Sequence, residues 1–298
     1  MTNKAPKMVA MPNATLDAAF RIEDCVRVIV RGGHAIVVIQ TEFCAAEIAL
    51  QGAQILSWKP AGHEDLLWCA PLPAAQTGKA IRGGIPVCWP WFGPHATDPA
   101  LPQHGLVRTV DWRLIATERV AGDVRVDCET SLQDARLRMA ITAGARLRVA
   151  LTTQNSGAVP LPISEALHTY FHVGDIGCAS VHGLDGCSYR DNTDGGREKV
   201  WHGALTLQQE TIALFDVAPD IVEIEDPVLA RRIRIAREGG RSTVAWHPGA
   251  NVVALKDVVS GSEATFLCLE SGSIGASAVV IAPGAEHQLA VTYDLAPL

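Results

Sequence analysis

The chain has 298 residues, 48% of them hydrophobic and 19% charged, with a formal net charge of −7. That apolar fraction excludes an intrinsically disordered chain. An acidic balance without a Lys/Arg tract excludes binding to a nucleic-acid backbone or an anionic membrane surface, and leaves a soluble enzyme or small-ligand binder.

In chain order, residues 1–15 are expected to be a flexible N-terminal segment. Pro12, Asn13 and Asp17 interrupt any apolar core of a signal sequence, so a cytoplasmic protein is expected. No stretch approaches the ~20 apolar residues that span a bilayer. A short helix is predicted over Asp17–Phe20, then strands over Val26–Val30, Ile36–Ile39 and Val124–Cys128. In Ala135–Ile141, Leu137, Met139 and Ile141 alternate with Arg136 and Arg138. After the turn-like Ala143-Gly144-Ala145, Arg146–Leu151 repeats the pattern, a hairpin of two half-buried antiparallel strands. A second short helix is predicted around Asp216–Ile221. Further strands follow at Ile233–Ile235, Thr265–Leu269, Ala278–Ile281 and Gln288–Tyr293. Strands without intervening helices argue for an all-β protein, a large antiparallel β-sandwich, with residues 16–298 as one domain.

Eight cysteines are widely and irregularly spaced and form no CxxC, so reduced and mostly buried thiols are expected. The segment 76–112 concentrates glycines, prolines, Trp89, Trp91, Arg82, Arg108 and two histidines; a long ordered connection of this kind suits a ligand pocket. Arg82 and Arg108 are suited to grip a phosphate or carboxylate, or to pair with surface carboxylates. His168 and His172 admit a metal reading, but Thr169, Tyr170 and Phe171 favour a strand over the helix that an HxxxH pair needs, so no metal site is expected. On a strand His168, Tyr170 and His172 share a face. His168 is then either a buried structural histidine or a proton donor. Glu270, closing the apolar run Thr265–Leu269, is either a strand-end charge or a base whose pKa is raised by partial burial. A His and a Glu on different strands are the minimal pair for general acid and general base work.

Two blocks, Ala80-Ile81-Arg82-Gly83-Gly84-Ile85-Pro86-Val87-Cys88-Trp89-Pro90-Trp91-Phe92-Gly93 and Pro102-Gln103-His104-Gly105-Leu106-Val107-Arg108, closely resemble the glucose-6-phosphate 1-epimerase (hexose-6-phosphate mutarotase) family, relatives of galactose mutarotase. Glu165–Phe171 and Cys268-Leu269-Glu270 look like that family's two catalytic motifs, and order and spacing fit over about residues 45–295. The resemblance implies a galactose mutarotase-like sandwich with an open groove, no metal or organic cofactor, and interconversion of the α and β anomers of an aldohexose 6-phosphate. By position it implies that Arg82, Gln103 and Arg108 bind substrate, that His168 is the acid and Glu270 the base, and that His104 adds a contact. Ionised Glu270 would take the proton of the anomeric hydroxyl while protonated His168 donates to the ring oxygen. Trp89 or Trp91 is either a stacking platform or core. A monomer acting on a small hexose phosphate, with no nucleic-acid or membrane partner, is expected.

The chain departs from the family pattern at one point. An Asp usually follows a Glu-Thr pair, where it helps bind the sugar; here Glu210-Thr211 is followed by Ile212. Asp216 is the expected substitute, with Asp191 and Asp194 as alternatives. Trp246-His247-Pro248-Gly249 looks like a variant of a Trp-Asn-Pro-Trp motif, with His247 a structural replacement. Competing expectations are a mutarotase of another or unphosphorylated aldose, a non-catalytic carbohydrate-binding module on the same fold, and a metal-dependent sandwich suggested by the ten histidines alone.

Overall fold

A computed structural model describes residues 13–76 and 78–298. Helix α1 spans Asn13–Phe20, and the strands β1 (Val26–Arg31), β2 (His34–Gln40), β3 (Cys44–Ala49) and β4 (Gln54–Pro60) form an antiparallel meander. The chain continues through β5 (Val87–Cys88), β6 (Arg113–Val120), β7 (Asp123–Leu132), β8 (Ala135–Ala143) and β9 (Leu147–Asn155). Next come β10 (Leu161–Ile163), β11 (Glu165–Leu167), β12 (Tyr170–His172), β13 (Ser180–His182), β14 (Ser188–Asp191) and β15 (Arg197–Val200). The last strands are β16 (Thr211–Phe215), β17 (Ile221–Asp226), β18 (Arg231–Glu238), β19 (Ser242–His247), β20 (Phe266–Ser273), β21 (Val279–Ile281) and β22 (Glu286–Pro297).

Two eight-stranded antiparallel sheets dominate. One runs β13-β17-β18-β22-β9-β8-β7-β6, the other β15-β14-β16-β19-β20-β11-β5, with β12 also paired to β20. The predicted hairpin is β8–β9: Leu137, Met139 and Ile141 are buried while Arg136 and Arg138 are exposed. Apolar residues of both sheets, among them Leu151, Val291, Phe215, Phe171 and Leu267, meet in one hydrophobic cluster. Across this interface the Phe171 and Tyr293 rings lie 5.8 Å apart, and the hydroxyls of Thr169 and Tyr293 share a 2.6 Å hydrogen bond.

Strand β20 is buried along its whole length. Its alternate residues serve two faces: Leu267 and Leu269 enter the inter-sheet core, whereas Phe266 and Cys268 join Trp68, Tyr170 and Val252 on the opposite side. A third cluster, Cys88, Ala166, Leu214, Val244 and Ile274, continues that outer face. Glu270 shares the alternation of Cys268, and its cross-strand neighbour is Val244.

The structure corrects two local expectations. The first helix begins at Asn13 rather than at the expected Asp17, and residues 1–12 of the N-terminal segment lie outside the described residues. Residues 216–220 form bends rather than a helix. Pro219 has no N–H for helical pairing, and Nη2 of the buried Arg237 donates to the carbonyls of Ala218 and Pro219 instead. All eight cysteines are free, and Cys25, Cys44, Cys88, Cys128 and Cys268 are buried. Among the described residues no helix is long and apolar enough to cross a membrane.

Candidate active site

The site lies on the outer face of the β20 sheet and is assembled by strand register. Leu167 of β11 pairs with Ser271, and Tyr170 of β12 pairs with Cys268, both on β20. His168 falls in the gap between the two short strands, opposite Glu270, with its N–H bonded to the carbonyl of Pro86 at 2.9 Å. The outcome is a contact of 3.4 Å between Nε2 of His168 and Oε1 of Glu270. Both side chains are buried, at 8% and 1% exposure. Nδ1 of His168 and Oε2 of Glu270 have no hydrogen-bond partner among the described residues.

Burial acts on the two groups in opposite directions, because it disfavours whichever form is charged. It raises the Glu270 carboxyl well above the usual carboxylate range, with Arg108 pulling the other way. It lowers His168 well below an ordinary histidine, and the neighbouring His104, Arg108 and Arg82 add to that effect. Burial thus holds both members of the pair toward their neutral forms.

The arginine loop sits against β4. Gly83 and Gly84 have φ of +98° and +63°. A Cβ on Gly84 would lie 2.0 Å from the carbonyl oxygen of Ile55, so only glycine permits that approach. The buried Gln54 side chain holds the same loop, donating to the carbonyls of Ile81 (3.2 Å) and Gly83 (2.7 Å). Arg82 emerges from it with Nε 3.0 Å from Asp257 and Nη1 3.0 Å from the Tyr170 hydroxyl.

The second block is tied to the first. The His104 N–H donates to the carbonyl of Gly93 (2.8 Å), while Nδ1 of His104 accepts from the Gly93 N–H (3.3 Å). That acceptor role leaves the neutral ring's proton on Nε2. The His104 ring stands edge-on to His168, centroids 5.3 Å apart. Burial, then Arg108 and Arg82, push the His104 pKa down to about 3. Arg108, in the turn Val107–Thr109, donates from Nη2 to the backbone carbonyl of Gln103 at 2.8 Å, and its buried Nε has no partner among the described residues. Gln103 therefore braces Arg108 with its backbone, while the residue itself is exposed.

The structure thus groups Arg82, His104, Arg108, His168 and Glu270. Asp216 is committed elsewhere: its Oδ1 accepts from Nη2 of Arg190 (2.8 Å) and from the N–H of Ala276 (3.1 Å). Asp191 and Asp194 both pair with Lys199. Ile212 is the cross-strand neighbour of Trp246, which in turn pairs with Cys268, so it belongs to the same face as Glu270. Trp89 is buried in the inter-sheet core, and the indole N–H of Trp91 is bonded to the carbonyl of Pro102. His247 is buried and braces its turn through Gly249 N–H and the Glu263 carbonyl. The ring of His172 turns to the Asp65 carbonyl, away from a shared ligand set with His168.

Three contributors carry no functional signal in the sequence: the Tyr170 hydroxyl on Arg82, Asp257 on Arg82, and Gln54 beneath the loop. Tyr170 was visible as a same-face neighbour of His168. Gln54 and Asp257 lie 28 residues before and 175 after Arg82 and carry no local signal.

The site is a His/Glu contact flanked by arginines on the outer face of an antiparallel sandwich; the class follows from the family: an isomerase of aldose 1-epimerase (mutarotase) type. The aldose 1-epimerase family model matches residues 35–294, and the chain belongs to that family. A protein of Escherichia coli K12, named a candidate glucose-6-phosphate 1-epimerase, is 35% identical over 243 residues, covering 79% of this chain and 82% of that protein. One of Cenchrus ciliaris with the same name is 28% identical over 274 residues, covering 85% and 82%. The crystal structure of a candidate mutarotase (YeaD) from Salmonella typhimurium superposes with a TM-score of 0.87 at 29% identity, covering 94% of this chain and 96% of the other.

Proposed function

We propose that the protein interconverts the α and β anomers of an aldohexose 6-phosphate, D-glucose 6-phosphate being the expected substrate, with His168 as acid and Glu270 as base. The observation that carries this reading is the 3.4 Å His168–Glu270 contact beside Arg82 and Arg108. The names of the curated relatives support the phosphorylated hexose.

In the ring-opening step the proton of the anomeric hydroxyl passes to Glu270, and the proton on His168 passes to the ring oxygen. The bond between C1 and the ring oxygen breaks as the C1 carbonyl forms. Rotation about C1–C2 and the reverse transfers close the ring on the other face. The pair enters as imidazolium and carboxylate and becomes neutral imidazole and carboxylic acid, with the same number of protons. Burial favours the neutral partners, so it acts in the direction of ring opening. Arg82, Arg108 and His104 hold the phosphate end while the aldehyde turns. Trp246, half-buried with its ring 6.2 Å from His168, is the better stacking platform for the sugar.

A second reading, a mutarotase of another or unphosphorylated aldose, is favoured by Ile212, which puts no carboxylate where the family usually has one. Saturation-transfer NMR on glucose, galactose and their 6-phosphates separates the two. The first reading predicts the highest kcat/KM for glucose 6-phosphate; equal or higher values for a free sugar would favour the second. Saturable sugar-phosphate binding without exchange would leave only a carbohydrate-binding module.

A further inference from the structure

Tyr170 touches both functional parts of the site. Its hydroxyl accepts a hydrogen bond from Nη1 of Arg82 at 3.0 Å. Its ring lies nearly flat against the His168 imidazole, with centroids 4.9 Å apart and planes 10° from parallel. The ring is itself confined: Trp68 and Phe266 lie 5.9 and 5.7 Å away, and Trp246 stands at 6.0 Å. Its backbone N–H is bonded to the carbonyl of Gly84, two residues beyond Arg82 on the same loop.

A working histidine is commonly oriented by a hydrogen bond on its second ring nitrogen. Nδ1 of His168 has none among the described residues. The plane of the imidazole is set instead by ring packing, with Tyr170 parallel and His104 and Trp246 edge-on. The electron-rich face of a phenol ring also attracts the imidazolium that donates the proton. On the other side, Tyr170 and Asp257 anchor Nη1 and Nε of Arg82, which leaves Nη2 to meet an anion.

We propose that Tyr170 is a positioning residue with two separable actions: its ring holds the plane of His168, and its hydroxyl holds the guanidinium of Arg82. This rests on the reading of His168 as acid and Arg82 as phosphate ligand. Its consequence is that one side chain sets both turnover and preference for the phosphorylated sugar, through different atoms.

Two variants separate the actions, each assayed for catalysed anomer exchange with a hexose 6-phosphate and the free hexose. Tyr170→Phe keeps the ring and loses the hydroxyl; kcat should stay within about threefold of wild type while KM for the phosphorylated sugar alone rises about tenfold, the worth of one charged hydrogen bond. Tyr170→Leu removes the ring, and kcat should fall at least about tenfold for both sugars as the acid loses its orientation. Recovery of kcat in Phe relative to Leu is the signature of ring positioning. Equal losses of kcat in both variants, or an unchanged KM for the phosphorylated sugar in Tyr170→Phe, would overturn the proposal, and Tyr170→Met takes the place of the ringless variant if Leu does not fold. A wild type without catalysed exchange would overturn the functional reading and this inference with it. An active wild type whose variants do not split overturns this inference alone.

Discussion

Nε2 of His168 and Oε1 of Glu270 lie 3.4 Å apart because Leu167 pairs with Ser271 and Tyr170 with Cys268. The two backbones are locked in register on either side of the pair. The inward neighbour Thr169 is pinned to Tyr293 across the core, so His168 faces outward with Glu270.

This burial has a cost in stability that Glu270→Gln should reveal. A carboxyl whose folded pKa is raised keeps its proton in the native state while the unfolded chain releases it above about pH 4.5. The unfolded state therefore gains relative stability as pH rises from there toward the folded pKa. Glu270→Gln removes this slope, so its stability advantage over wild type should be larger at pH 8 than at pH 5. Urea midpoints at both values check this; a smaller advantage at pH 8 would show that Glu270 is ionised in the native protein.

His104 titrates in the opposite sense. Its folded pKa is pushed down to about 3, so between there and an ordinary histidine value the unfolded state binds the additional proton. Its contribution is complete above about pH 6.5 and is lost as pH falls toward 3. His104 has φ of +63°, which Asn tolerates. His104→Asn should therefore become progressively more stable relative to wild type as pH drops from 7 to 4. A stability difference that does not change over this range would place a charged His104 in the fold.

Arg82 is expected to act on the phosphate rather than on the chemistry, and Arg108 on both. Arg82→Ala should raise KM for a hexose 6-phosphate about ten- to hundredfold, the worth of charge-assisted hydrogen bonds, and leave KM for the free hexose nearly unchanged. Arg108→Ala should do the same and also lower kcat, since Arg108 is the cation that favours the ionised form of Glu270. Small, equal effects of Arg82→Ala on both sugars would remove Arg82 from the phosphate site.

The loop backbone offers a paired stability test. A Cβ at Gly105, where φ is +76°, would lie 1.9 Å from the carbonyl oxygen of Trp89, whereas one at Gly93, with φ of +72°, meets nothing within 4 Å. Gly105→Ala should cost more than about 2 kcal/mol and Gly93→Ala about 1 kcal/mol, the latter from backbone strain alone. Equal urea midpoints for the two variants would contradict the close approach of the two loops.

The legibility of these features in the sequence follows from the range of the forces involved. The β8–β9 hairpin was readable because arginines alternate with apolar residues on strands with one wet face. Strand β20 was visible as an apolar run, but its two buried faces were not, since a strand covered on both sides loses its alternation. The bends at 216–220 are not legible as such because the group that claims the Ala218 and Pro219 carbonyls, Arg237, comes from β18, 18–19 residues further along the chain. In the site, His168, Glu270, Arg82 and Arg108 were nameable from motif resemblance. Their juxtaposition depends on strand register, and the grip of Gln54, Asp257 and Tyr170 on the arginine loop depends on contacts across the fold.

The most direct measurement is saturation-transfer NMR of anomer exchange in glucose 6-phosphate, comparing wild type, Glu270→Gln and buffer at neutral pH. Wild type should exchange the anomers far faster than buffer. Glu270→Gln, folded but without its base, should lose at least about a hundredfold of that acceleration. A wild type at the buffer rate, or a Gln variant as fast as wild type, would contradict the assignment of acid–base ring opening to the His168–Glu270 pair.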